Sequence, residues 1–180
     1  EVSNLVGVSD IDEALGNKIS KKWNTKYFAN YEDMLSSVDA VTVSVPTSFH
    51  SKVCEDVIQA GVHLLVEKPL ASSVNESKKI VDAAKSANLR LAVGHIERFN
   101  PVISLAKEKL SRGEWGNIIT LSAKRLSSYP ERIRDVGVLF DLSIHDVDLI
   151  RFLANSNLDY VSTIGGNYVN DSYEDHVFIS

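Results

Sequence analysis

Ala60-Gly61-Val62-His63-Leu64-Leu65-Val66-Glu67-Lys68-Pro69-Leu70-Ala71 is a helix end, a strand and a lysine delivered where the strand stops. Gly61 suits the left-handed position that closes a helix. Residues 62–66 form a short apolar run, the pattern of a strand covered on both faces. The charged pair Glu67-Lys68 comes where that strand should end, and Pro69 forbids further pairing. In open parallel sheets ligands bind beyond the carboxyl ends of the strands, so Lys68 is placed to meet a substrate. An exposed loop lysine is the plainer reading; the strand before it favours function.

Outward from this stretch the chain alternates. Residues 4–9 are strand-like and end at Asp10; 11–23 have helical composition, with Asp10 or Asp12 as cap. Asn30 caps a short helix over 31–36. Residues 40–45 (Ala-Val-Thr-Val-Ser-Val) are a strand stopped by Pro46, and 49–60 a helix with Ser48 as cap. Residues 74–87 are a helix capped by Ser73, with Glu76 at capping-box spacing, and 91–94 a further strand. Strands alternating with helices predict right-handed crossovers and a parallel, Rossmann-type α/β sheet. After His95 the pattern changes: a helix over 101–110, a long strand over 118–126, an arginine-rich loop over 129–137, an amphipathic helix over 139–153, and strands over 160–168 and 176–179. Residues 1–96 are therefore expected to be a partial dinucleotide-binding domain, and 97–180 a truncated α+β domain for substrate and oligomer contacts.

The 180 residues, 44% of them hydrophobic, suffice for one core or for one domain and part of another. A net charge of −5 excludes a basic nucleic-acid face. The lone cysteine, Cys54, excludes an internal disulfide, fits a reducing, cytoplasmic setting and reads as core packing. No apolar run approaches the roughly 20 residues that span a bilayer, and no signal peptide is visible. The chain starts at Glu1 already heading into a strand, as expected of an internal segment of a longer protein.

Several side chains are candidates for chemistry. Asp10 ends the first strand, where an acid holds the adenosine ribose and repels a 2′-phosphate; this favours NAD over NADP. A helix cap is the alternative, and one aspartate can do both. The glycine-rich phosphate loop is missing, since Gly165-Gly166 lies far downstream between strands. In the turn Val45-Pro46-Thr47-Ser48-Phe49-His50, Pro46, Thr47 and His50 are cofactor-side candidates, together with Glu67 and Lys68. Asp141 and His145 stand four apart in a predicted helix and face one way. A carboxylate beside an imidazole suits general acid–base work; an ordinary surface pair is the alternative. Asp146 and Asp148 read as solvated or capping. No histidine spacing suits a metal, so none is expected. His95-Ile96-Glu97-Arg98-Phe99-Asn100-Pro101 occupies the domain junction, where Arg98 either faces a ligand or pairs with an acid. Arg125, Tyr129, Arg132 and Arg134 form a second polar group suited to carboxylate or phosphate, with a solvated loop equally open.

Three motifs in order, Ala60-Gly61 through Glu67-Lys68-Pro69-Leu70-Ala71, then Gly94-His95 with Arg98-Phe99-Asn100-Pro101, then Asp141-Leu142-Ser143-Ile144-His145-Asp146, resemble the glucose–fructose oxidoreductase / inositol dehydrogenase family (Gfo/Idh/MocA). The resemblance implies a dinucleotide-binding domain whose first strand and glycine loop lie upstream, then a domain with a mostly antiparallel open sheet that often forms the oligomer interface. It implies that Lys68, Asp141 and His145 meet over a nicotinamide and that the Lys68-Pro69 bond is cis. It implies hydride transfer at a ring carbon of a sugar, nucleotide-sugar or inositol, and a sheet that often serves as the oligomer interface, so a homo-oligomer is expected. Lys68, Arg98, Tyr129, Arg134, Asp141 and His145 are the expected substrate ligands, and charge and hydropathy leave no nucleic-acid or membrane partner expected. The run Pro130-Glu131-Arg132-Ile133-Arg134-Asp135-Val136-Gly137 looks most like members acting on UDP-N-acetylglucosamine at C3, although the glycines common before Asp141 are absent. Relatives that cleave glycosidic bonds through transient NAD oxidation, and non-catalytic sensors, are the rival classes; the intact Lys68, Asp141 and His145 set argues against a sensor.

Overall fold

The computed structural model describes residues 3–127, 136–169 and 171–180. They form two compact units, Glu1–Gly94 and His95–Ser180.

The first unit runs β1 (Gly7–Ser9), α1 (Glu13–Trp23), β2 (Lys26–Phe28), α2 (Glu32–Leu35), β3 (Ala40–Val43), α3 (Thr47–Gln59), β4 (His63–Val66), α4 (Val74–Ser86) and β5 (Leu91–Val93). All its pairings are parallel and fall into two ladders, β1-β2 and β3-β4-β5. Local chemistry sets the helix ends. Asp12 accepts from the Leu15 N–H at 3.0 Å, and Ser73 Oγ from the Glu76 N–H at 3.2 Å. Gly61, at φ +75°, takes the left-handed turn out of α3 that a side chain would resist. Helix α3 begins at Thr47 behind Pro46 with no side-chain cap, so Ser48 is a helical residue and not the expected cap. Strand β2 was not anticipated, because three residues, one of them Lys26, carry too little pattern to read.

The core is Leu35, Val43, Val53, Cys54, Val57, Ile58, Val62, Leu64, Val66, Ala71, Ile80 and Ala84. Cys54 lies wholly inside it, and burial pushes its thiol pKa up to about 11, which supports the packing role. One expectation is corrected. Strand β4 buries only alternate residues: Leu64 and Val66 face the α3–α4 layer, while Leu65 is 42% exposed. An apolar run reports hydrophobicity and cannot report which layers are present to cover it.

Among its described residues the second unit holds a 3₁₀ turn (Ile96–Phe99), α5 (Pro101–Ser111), a π-helical turn (Leu139–Ser143) continuing into α6 (Ile144–Ala154), and the antiparallel pair β6 (Thr163–Gly166) and β7 (His176–Ile179). Asn100 caps α5 by accepting from the Val102 N–H at 3.0 Å, with Pro101 in the first turn as expected. Residues 118–126 join no ladder among the described residues, contrary to the expected strand. Their pattern favours extended backbone, but a strand exists only where a partner supplies hydrogen bonds. Gly165-Gly166 lies in β6, away from any helix start.

Candidate functional site

In the first unit the candidates gather at strand carboxyl ends. Asp10 follows β1; its Oδ1 accepts from the Asp12 N–H at 2.9 Å, and its carbonyl accepts from the Tyr27 hydroxyl at 3.0 Å. A carboxylate has two oxygens, so this local bond leaves capacity for a ribose hydroxyl. Pro46 and half-buried Thr47 stand at the β3–α3 turn. Glu67 and Lys68 follow β4. The Glu67 N–H donates to Val43 O at 2.9 Å, the last ladder bond before the loop. The Lys68 N–H donates to the Glu67 carboxylate at 3.2 Å, and the Lys68-Pro69 peptide is cis.

His50 is the correction in this group. Expected beside the cofactor, its ring is only 1% exposed, with Nδ1 2.9 Å from Pro69 O and Nε2 2.9 Å from Val45 O. Both nitrogens face backbone carbonyls.

In the second unit Asp141 lies in the π-helical turn and His145 in the first turn of α6; both are half-buried on one continuous helical stretch. A π-helical turn of this kind recurs at functional sites because it re-aims side chains that an α-helix would space evenly. The stretch is fastened at four places. Glu174 accepts from the Leu139 N–H through Oε1 at 3.0 Å and from the Val138 N–H through its carbonyl at 2.9 Å. A side-chain carbon at Gly137 would overlap that carboxylate. Arg125 donates to both oxygens of Asp146, at 3.2 and 3.0 Å. Arg98 donates to both oxygens of Asp148, at 2.8 and 2.5 Å. Lys107 donates to Phe152 O at 2.6 Å.

These contacts settle where Arg98 points. Its guanidinium is committed to an acid, and that bond raises its pKa above the ordinary arginine value. Asp148, expected to be solvated, is buried, and Asp146 is paired. Burial lowers the His95 pKa, with Asp148 opposing the shift and Arg98 adding to it; His95 Nδ1 lies 3.6 Å from Asp148. Asp148 and Glu174 were missed as parts of the site. Asp148 had a signal, one helical turn beyond His145 on the same face; Glu174 had none, being 35 residues from its partner. Tyr129, Arg132 and Arg134 lie outside the described residues. Among the described residues no group of His, Cys, Asp or Glu gathers to hold a metal, and no helix is long and apolar enough to cross a membrane.

Comparison with known proteins bears on the fold and the family. Residues 1–95 match the family described as an oxidoreductase family with an NAD-binding Rossmann fold. UDP-N-acetylglucosamine 3-dehydrogenase of Acidithiobacillus ferrooxidans is 34% identical over 170 residues, 94% of this chain and 53% of that protein. A crystal structure of that enzyme superposes with a TM-score of 0.88 at 33% identity, over 99% of this chain and 55% of the other. The scyllo-inositol 2-dehydrogenase (NAD(+)) of Bacillus subtilis is 34% identical over 149 residues, 81% of this chain and 43% of the relative. The chain belongs to the Gfo/Idh/MocA oxidoreductase family. It spans about half the length of these relatives.

Proposed function

We propose that the protein is an NAD-dependent dehydrogenase acting on a ring hydroxyl of a sugar, nucleotide-sugar or inositol. The observation that carries the reading is Lys68 at the carboxyl end of β4, in a family whose members include dehydrogenases of such alcohols. The residues present fit the two ends of a dinucleotide. Asp10 would hold the adenosine ribose; Pro46, Thr47 and Glu67 would border the nicotinamide half. When bound, NAD supplies the hydride acceptor.

His145 takes the proton from the reacting hydroxyl, and Asp141 orients the His145 ring. Lys68 steadies the alkoxide as it develops and holds the oxygen in line. The convergence of Lys68 with Asp141 and His145 on one alcohol is part of this proposal. So are the UDP-N-acetylglucosamine C3 specificity, for which the 34% identity over most of this chain is the support, and self-association through the β6–β7 sheet.

The test is Lys68→Met and His145→Ala in the full-length protein, scored by NADH formation against UDP-sugars, hexoses and inositols. Turnover should fall by about 10²–10⁴-fold in each, the usual worth of a positioned acid–base or charge-stabilising group. Turnover within a few-fold of the parent would remove these residues from the mechanism. Free sugar released without net NADH would move the protein to the glycosidase branch of the family.

A further inference from the structure

We propose that His50 is a positioning residue for Lys68: held between the carbonyls of Val45 and Pro69, with a ring nitrogen 2.9 Å from each, it sets where the Lys68 ammonium stands. The proposal rests on the reading of Lys68 given above. Ladder bonds hold β4 as far as the Glu67 N–H, which donates to Val43 O at 2.9 Å. Beyond that point sheet pairing stops. The Lys68 N–H turns to the neighbouring Glu67 carboxylate, and Pro69 has no N–H to give. The Lys68 backbone therefore lies between two anchors, the last ladder bond behind it and the His50 contact to Pro69 O in front.

The other ring nitrogen reaches Val45 O, at the turn where Pro46 and Thr47 stand. A planar ring with nitrogens on separate edges acts as a strut of fixed length between the two loops. The ring is polar and almost wholly enclosed beside a core of Val, Leu and Ile, a placement tolerated when the ring has a hydrogen-bond partner. Both partners are acceptors, so a neutral ring donates to one carbonyl at a time and a protonated ring to both. An apolar residue of similar size would fill the space and leave both loops untied.

The experiment uses the full-length enzyme with His50→Ala, His50→Gln and Lys68→Met, singly and with each His50 change combined with Lys68→Met. Misplacing a reacting group by about 1 Å can cost about 10²-fold. His50→Ala should therefore lower kcat by about tenfold or more, a larger change than any in sugar KM or NAD affinity. His50→Gln, which keeps one side-chain donor, should recover part of the loss. In the Lys68→Met background His50→Ala should cost little more, because its effect runs through the missing ammonium.

Unchanged kcat in folded His50→Ala overturns the proposal. So does a loss confined to NAD affinity, or an equal loss in the Lys68→Met background. If His50→Ala does not fold, the His50→Gln cycle decides by the same criteria. Full activity in Lys68→Met alone sinks the reading of Lys68 itself, which separates the two failures.

Discussion

The unit that carries Lys68 buries hydrocarbon; the unit that carries Asp141 and His145 buries a carboxylate. Every buried hydrophobic side chain among the described residues lies between Met34 and Ala84. From His95 onward, the buried side chain among the described residues is that of Asp148, held by Arg98. The first arrangement is non-directional and tolerant of detail, since apolar burial depends on area and not on angle. The second is directional: a two-pronged guanidinium fixes both distance and plane. A lysine that must project from a strand end is served by a stiff sheet. A helix that must present an acid and an imidazole in one orientation is served by pinning at named points.

Three measurements would break or sharpen this contrast. The largest effect is expected from Ile80→Ala in the full-length protein. Ile80 is wholly buried, and such a truncation costs about 2–5 kcal/mol. Hydrogen exchange should quicken across α3, α4 and β4 and leave α6 as it was; equal loosening of α6 would mean the two units share one core. A smaller loss is expected from Arg98→Ala, which strips the buried Asp148 of its partner. Leaving a buried hydrogen-bonding group without its partner costs about 1–3 kcal/mol, and more for a charged one. Arg98 is 41% exposed, so the lower end applies. Exchange should quicken in α6 alone, and Arg98→Lys should restore little because an ammonium lacks the fork.

The smallest effect concerns acid. Burial holds the His95 pKa below its ordinary value, so the unfolded chain binds a proton that the folded one refuses. Stability is therefore full above about pH 6.5 and declines as pH falls through that value. Comparing urea midpoints of the parent and His95→Gln above and below about pH 6.5 should show a shallower acid decline in the variant. Identical slopes would show that the His95 environment does not contribute.

Legibility followed the same division. In the first unit the caps at Asp12 and Ser73, the left-handed Gly61 and the strand leading to Lys68 were all readable. Each depends on residues within about one helical turn of another. The misreadings there were layer effects, the bare side of β4 at Leu65 and the inward turn of His50. In the second unit the helix carrying His145 was readable from its pattern, but its π-helical start and its fastenings were not. Arg98 and Asp148 are 50 residues apart, and Arg125 and Asp146 are 21 apart. Residues 118–126 have the pattern of a strand and no ladder.

Read alone, the 180 residues specify the parallel α/β class, the family, and which side chains can do chemistry. These follow from local periodicity, capping and motif spacing, which neighbouring residues encode. Which groups face carbonyls, which arginine meets which acid, and which residues of β4 enter the core were decided in three dimensions. Hydrogen-bond direction and burial depend on partners that chain order does not name.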